Sequence, residues 1–323
     1  MSGRDDLRGR LQEDAERVVA AATAEGIVET CWIEQGVMTH KCVVTVCSGQ
    51  KYIVRFYPPG REFVVDYEPD ILERAAAAGV NVPRVVVDSR RGISAQLNYV
   101  CYERLPGVSL AERIHQLSPP VLARLGLQLV EQLRKIATIR LEGYGEPVTG
   151  LRACSNSWRG FLQSVVDVGT EAVAKLSLLS AADGDLLSRV VKRQLAEVVE
   201  IAPTLVWADV SYGNVLVNDA GELSGLIDFE GSLVGDSLLA LGYLQAFSGR
   251  QGLFLEISKS WGLLPESKYW NVIDFYAIVR ALRAAPFYTS KVLPNGAPRK
   301  SFVDVFPGLL DAVHRLSVAA SSV

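Results

Sequence analysis

Apolar residues recur at helical spacing between residues 5 and 25, at Leu7, Leu11, Ala15, Val18 and Val19, and Gly26 ends the run. This predicts an amphipathic helix whose role is packing. From Ile27 the pattern changes to strands, Ile27 to Glu34, Cys42 to Val46 and Tyr52 to Phe56, joined by turns at Gln35-Gly36 and Ser48-Gly49. Glu68-Pro69-Asp70 opens a second helix that runs to Gly79, with proline in its first turn. Leu97 to Arg104 reads as a further strand, and Pro106-Gly107 marks a domain boundary. Beyond it the periodicity is mainly helical. Ser109 to Ile139 is interrupted at Pro119-Pro120 and carries an apolar stripe of Leu125, Leu129, Val130 and Leu133. Gln163 to Ile201 is helical with a break near Ala182-Asp183-Gly184, and after Ser237 helix and loop alternate. Within this helical half, Val215-Leu216-Val217 and Leu223 to Ile227 flank Asn218-Asp219-Ala220-Gly221, the pattern of a β-hairpin.

At 323 residues the chain has room for two cored domains, taken as 1–105 and 106–323. Hydrophobic residues make up 49% without any run of 18, which predicts a soluble globular protein with no membrane partner. The polar, acidic start, Met1-Ser2-Gly3-Arg4-Asp5-Asp6, is unlike a signal peptide. Cys31, Cys42, Cys47, Cys101 and Cys154 are odd in number and have no Cys-x-x-Cys spacing, which suits reduced thiols in a cytoplasm. A net charge of −3 argues against a nucleic-acid partner.

The hairpin gives the chain its chemistry. Folding it back brings Asn214 toward Asp228, and Asp209 lies five residues before Asn214 in a loop. Two close carboxylates repel, and a divalent cation relieves the repulsion; a carboxylate with an amide oxygen suits Mg²⁺. Asp209, Asn214 and Asp228-Phe229-Glu230 match the order of a phosphoryl-transfer site, in which one Asp accepts the hydroxyl proton and an Asn and a second Asp hold metal.

Over Thr204–Asp236 the chain resembles the aminoglycoside and hygromycin phosphotransferases and their choline-kinase-like relatives. Those proteins carry His-Gly-Asp or His-Ala-Asp, an Asn five residues later, Ile-Asp-Phe or Ile-Asp-Trp, and Gly-Asp. Here the counterparts are Trp207-Ala208-Asp209, Asn214, Ile227-Asp228-Phe229 and Gly235-Asp236. The sequence departs from them at Trp207, where relatives have the His that braces the loop, and at Ala240, where a second Asp often stands.

The resemblance implies an α+β, bilobal protein-kinase-like fold, with a small antiparallel β-sheet lobe bearing one regulatory-type helix and a larger, mainly helical lobe. It implies ATP as cofactor, with GTP left open, together with Mg²⁺. By the same resemblance Asp209 is catalytic and Asn214 and Asp228 hold metal, while Asp236 braces the loop. Arg55 takes the phosphate-binding place of a strand lysine, oriented by Glu68; a guanidinium can fork to two phosphate oxygens. Gly36 stands in the loop over the phosphates, with a plain hairpin as its alternative, and Glu103 and Leu105 fall at the adenine hinge. Trp158 lines a pocket or packs between helices, with packing preferred, and His40, His115 and His314 are surface or core residues rather than bases.

The segment after Ser237 holds nine cations against five anions, +4, which leaves the preceding part at −7. That sign is wrong for a polyamine pocket and favours a neutral or anionic small-molecule alcohol, or a peptide, as acceptor. Solvated surface charge is the equal alternative. Three readings follow. One is a kinase for a metabolite or antibiotic-like alcohol, in resistance or in natural-product biosynthesis. Another is a kinase for Ser or Thr of a ribosomally made precursor peptide. The third is a pseudokinase, which Trp207 favours.

Overall fold

The computed structural model describes residues 3–34, 38–148, 151–290, 292 and 298–319, and the chain divides into two compact units. The first comprises Met1–Pro106, Val148–Leu151 and Gly225–Glu230. It differs from a simple N-terminal segment, because two later stretches return to it.

In this unit helix α1 (Gly3–Thr23) lies on a five-stranded antiparallel sheet of β1 (Ile27–Ile33), β2 (His40–Val46), β3 (Lys51–Tyr57), β4 (Val85–Asp88) and β5 (Asn98–Glu103). The spatial order is β1-β2-β3-β5-β4. The helical stripe Leu11, Ala15, Val18 and Val19 meets the alternating Cys42, Val44, Val46, Val54 and Phe56 of the sheet, all of them buried. The 3.6 and 2.0 periodicities of the sequence thus share one core. Each fully buried Val, Leu or Phe contributes about 1.5–3 kcal/mol. Helix α2 (Glu68–Ala77) begins with Glu68 and Pro69 in its first turn, both buried. In β2 and β3, Lys41 pairs in register with Arg55.

The second unit opens with β6 (Val108–Ser109) and the single turn α3 (Leu110–Arg113), then α4 (Pro119–Ile136). Pro119 and Pro120 begin α4 rather than interrupt a longer helix, since proline lacks only an N–H that a first turn leaves unused. Next come β7 (Tyr144–Pro147), β8 (Ala153–Ser155), α5 (Trp158–Lys175) and α6 (Ala181–Glu197). The helical break falls at 176–180, not at Ala182-Asp183-Gly184. Ser180 accepts the Asp183 N–H as an N-cap, so those three residues belong to the first turn of α6.

Strand β9 (Thr204–Val206) is followed by the hairpin of β10 (Val215–Val217) and β11 (Leu223–Leu226) and by β12 (Leu233–Gly235). Asn218 Oδ1 closes the hairpin turn by accepting the N–H groups of Ala220 and Glu222 at 3.0 and 2.9 Å. Helices α7 (Leu239–Ser248), α8 (Leu253–Trp261), α9 (Tyr269–Ala284), α10 (Phe302–Val305) and α11 (Gly308–Ala319) complete the unit. Helix α9 lies at the centre of this group and packs with α5, α7 and α11. Two glycines allow that approach. A Cβ on Gly169 of α5 would stand 2.6 Å from the Leu282 carbonyl oxygen, and one on Gly242 of α7 would stand 2.3 Å from the Cβ of Tyr276. No helix among the described residues is long and apolar enough to cross a membrane.

Candidate active site

The predicted site residues fall into two clusters, each inside one unit. In the first unit Arg55 is 3% exposed, and its guanidinium is ringed by acceptors. Nη1 donates to Glu68 Oε1 at 3.2 Å and Nε to the Thr39 hydroxyl at 3.1 Å. Nη2 lies 3.0 Å from both Asp228 Oδ1 and Glu230 Oε1. Arg61 pairs with the other oxygen of Glu230 at 2.9 Å. Three carboxylates thus face Arg55 and Arg61, and Lys41 stands beside Arg55 on the next strand.

A buried charge is tolerated when it is paired and hydrogen-bonded, and the proton affinities reflect the balance. Burial pushes Glu68 up to about 7, opposed by Arg55 and reinforced by Glu230 and Asp228. The Tyr57 hydroxyl also donates to Glu68. Burial would raise Asp228 as well, but Arg55, Lys41 and Arg61 hold it below the usual carboxylate range. Lys41 is lowered by burial and by Arg55. Asp228 follows β11 in a left-handed backbone conformation, φ 66°, uncommon for a residue with a side chain and typical of functional turns.

In the second unit the loop from Trp207 to Asn214 ends in a 3-10 turn, Tyr212–Asn214. Asn214 Nδ2 donates to the Asp209 carbonyl at 3.0 Å and to its carboxylate Oδ2 at 2.8 Å. The Ser109 hydroxyl contacts the carbonyls of Tyr212 and Gly213 at 3.2 and 3.3 Å and ties the turn to β6. Asp209 is 35% exposed, open to a ligand, and the Arg280 guanidinium lies 3.9 Å from its Oδ1. Trp207 is 0% exposed, so the position where relatives place a loop-bracing His holds a buried indole.

Asp236 accepts the Leu238 N–H at 2.9 Å and the Tyr276 hydroxyl at 2.9 Å, and Tyr276 in turn accepts from Trp158 Nε1 at 3.1 Å. Asp236 therefore holds the start of α7, and Trp158 is a packing residue, 1% exposed. A cavity of about 550 Å³ adjoins the loop, lined among others by Ser211, Tyr212, His115, Leu244, Phe247 and Gln251. Its lining contains no carboxylate among the described residues.

Gly36 lies outside the described residues. Glu103 and Leu105 fall at and just past the end of β5, where the Glu103 N–H is already bonded to the Arg84 carbonyl at 2.9 Å. Sequence reasoning misses Lys41, Arg61 and Glu230 as members of the Arg55 cluster, and His115 as a cavity residue. Lys41 is legible in principle, because it faces Arg55 in a two-strand register.

As donors for a metal, Asn214 offers an amide oxygen, since its nitrogen is engaged by Asp209, and Asp228 offers an ionised carboxylate. Among the described residues no group of three or more His, Cys, Asp or Glu forms a metal cage. Asn214 belongs to the second unit and Asp228 to the first, and each by itself is an oxygen donor of the kind Mg²⁺ accepts.

A family model described as the phosphotransferase enzyme family (APH) matches residues 33–265, more than half of the chain. Among curated proteins none matches the sequence. Several solved structures share the fold. The apo form of a thermostable mutant of aminoglycoside phosphotransferase APH(4)-Ia matches with TM-score 0.70 and 16% identity, over 95% of this chain and 100% of that one. A further substituted form of that mutant, in ternary complex with ADP and hygromycin B, gives 0.68 and 18% over 96% and 98%. The GDP and kanamycin complex of APH(2")-IIIa gives 0.64 and 15% over 96% and 99%. At these identities the likeness is one of fold.

Proposed function

The chain belongs to the phosphotransferase enzyme family, and from that premise we propose that it moves the γ-phosphoryl group of ATP or GTP to a hydroxyl of a small metabolite or antibiotic-like molecule. Asp209 orients the acceptor hydroxyl and takes its proton. Arg55, held by Glu68, and the adjacent Lys41 are assigned to phosphate oxygens, for which Arg55 would exchange its present Nη2 partners Asp228 and Glu230. By the family resemblance Asn214 Oδ1 in one unit and Asp228 in the other are each assigned as Mg²⁺ donors, and the ion when bound would neutralise phosphate charge. Little covalent work falls to the protein in such a reaction, so positioning and preorganised charge account for most of the acceleration. The nucleotide complexes of the structural neighbours support a nucleotide donor.

The observation that carries this reading is the Asn214 amide. By donating to both the carbonyl and the carboxylate of Asp209, it fixes the proton acceptor and turns its own oxygen to another use. Trp207, at the position where relatives carry His, is fully buried.

Asp209→Asn is expected to leave nucleotide binding intact and to lower phosphate transfer by about 10²–10⁴, the range of a lost general base. Asp228→Ala is expected to abolish Mg²⁺-dependent nucleotide binding in calorimetry. Full transfer activity in the first variant, or unchanged nucleotide binding in the second, would remove these roles.

A further inference from the structure

The arginines of the final segment divide by what they touch. Arg250 and Arg315 each meet Asp274 at 2.8 Å, and Arg283 meets Glu146 at 2.8 Å. Arg280 has no such close partner among the described residues. Its nearest carboxylate oxygen is Asp209 Oδ1 at 3.9 Å, beyond hydrogen-bond reach, and its buried Nε is without an acceptor. The guanidinium is nevertheless held in place, 4.8 Å from the ring centre of Phe247, 5.5 Å from that of Tyr243 and 5.6 Å from that of Phe306. Its side chain keeps 18% exposure.

Aromatic rings stabilise the cation but accept none of its in-plane N–H groups. Buried donors left without acceptors are costly, and native structures keep few of them without a purpose. Orienting Asp209 does not explain this arrangement, because Asn214 already holds that carboxylate at 2.8 Å while Arg280 stands too far away to do so. A partly exposed guanidinium with an unfilled Nε donor is a group that binds a carboxylate or phosphate.

We propose that Arg280 binds an anionic group of the acceptor, an inference that rests on Asp209 being the residue that receives the acceptor hydroxyl. The distances narrow the class. Hydrogen bonds of about 2.8 Å to two groups 3.9 Å apart, running side by side into one ligand, put its hydroxyl and anionic oxygens about 4 Å apart. That is the separation in a 2- or 3-hydroxy acid, or in an alcohol carrying a phosphate on the neighbouring carbon. Phe247, which flanks Arg280, also lines the cavity without carboxylates, so Asp209 is the one acidic group described here that faces such a ligand, and the ligand's hydroxyl rather than its anion meets it. A polyamine antibiotic, by contrast, would bring cations against Arg280.

The test uses the full chain with Mg–ADP and three matched probes, D-glycerate, glycerol 3-phosphate and glycerol, titrated calorimetrically. The wild type is expected to bind at least one of the two anions about tenfold or more tightly than glycerol, the scale of one charge-assisted hydrogen bond. R280M should erase that preference, R280K should weaken it less, and glycerol should be indifferent to both changes. A carboxylate acceptor shows as a preference for glycerate, and a phosphate acceptor as one for glycerol 3-phosphate. Failure of both anions to outbind glycerol in the wild type overturns the proposal, as does an anion preference that survives in R280M. Should R280M fail to fold, judged by circular dichroism, an undiminished preference in R280K overturns it instead, because R280K keeps the charge and removes the fork. Mg–ADP binding is read in the same titrations. Its absence would sink the phosphotransferase reading, whereas intact nucleotide binding without anion preference sinks only the role of Arg280.

Discussion

Glu68 is the residue whose surroundings most change its chemistry. Its carboxyl is pushed from an ordinary 4.5 up to about 7 by burial, even with Arg55 beside it. Between those values the folded chain keeps a proton that the unfolded chain has released, so stability falls as pH rises through the window. The loss is nearly complete once the pH passes about 7 and is on the order of 3 kcal/mol. Asp228 acts in the opposite sense. Held below its ordinary range, it adds stability above that range, lost as pH falls through its depressed value. Glu68→Gln is expected to flatten the decline between about pH 5 and 7.5 in urea unfolding, and an unchanged slope would assign the decline elsewhere. At this scale the sequence is most informative about motif residues. Asp209, Asn214 and Asp228 stand out by spacing. Arg61, Glu230 and Arg280 do not, because their importance comes from neighbours distant in the chain that only the fold brings to them.

Among the elements, the strands and the hairpin are legible because alternation and turn residues agree locally. Helix limits are less so. Pro119-Pro120 reads as an interruption, yet α4 starts there, with proline in its first turn and Leu125, Leu129 and Leu133 buried beyond it. Ala182-Asp183-Gly184 looks like a break by composition, yet the Ser180 cap draws it into α6. The α7–α9 crossing depends on a residue with no side chain. Gly242→Ala would place a methyl against the Cβ of Tyr276 and the Ile273 carbonyl, 2.3 and 2.9 Å away. Overpacking of this kind is expected to destabilise by about 1–3 kcal/mol, visible as a lowered melting temperature. An unchanged melting temperature would mean that the two helices separate without cost. Since α9 carries both Arg280 and Tyr276, a shift there should also reach the loop that holds Asp209.

For the whole molecule, the sequence suggests a cut near Pro106, with everything beyond it in one domain. The backbone is less simple. It leaves the first unit after Pro106, returns for Val148–Leu151, leaves again, and returns for Gly225–Glu230. Composition does not reveal these returns, because each is only a few residues long and owes its place to partners such as the Asn81 carbonyl, which receives the Leu226 N–H at 2.8 Å.

This threading forbids a simple division of labour in the test tube. A fragment ending at Pro106 would keep Arg55 and Glu68 but lose Asp228 and Glu230, stranding a guanidinium in an apolar interior with a single counter-charge. Such a fragment is expected to be unfolded by circular dichroism, and a synthetic peptide spanning the second return, added in trans, should restore part of its structure. Independent folding of the fragment would show that the missing strip is ornament. The strip that brings Asp228 is then both a clasp for one half of the protein and a carrier of its chemistry.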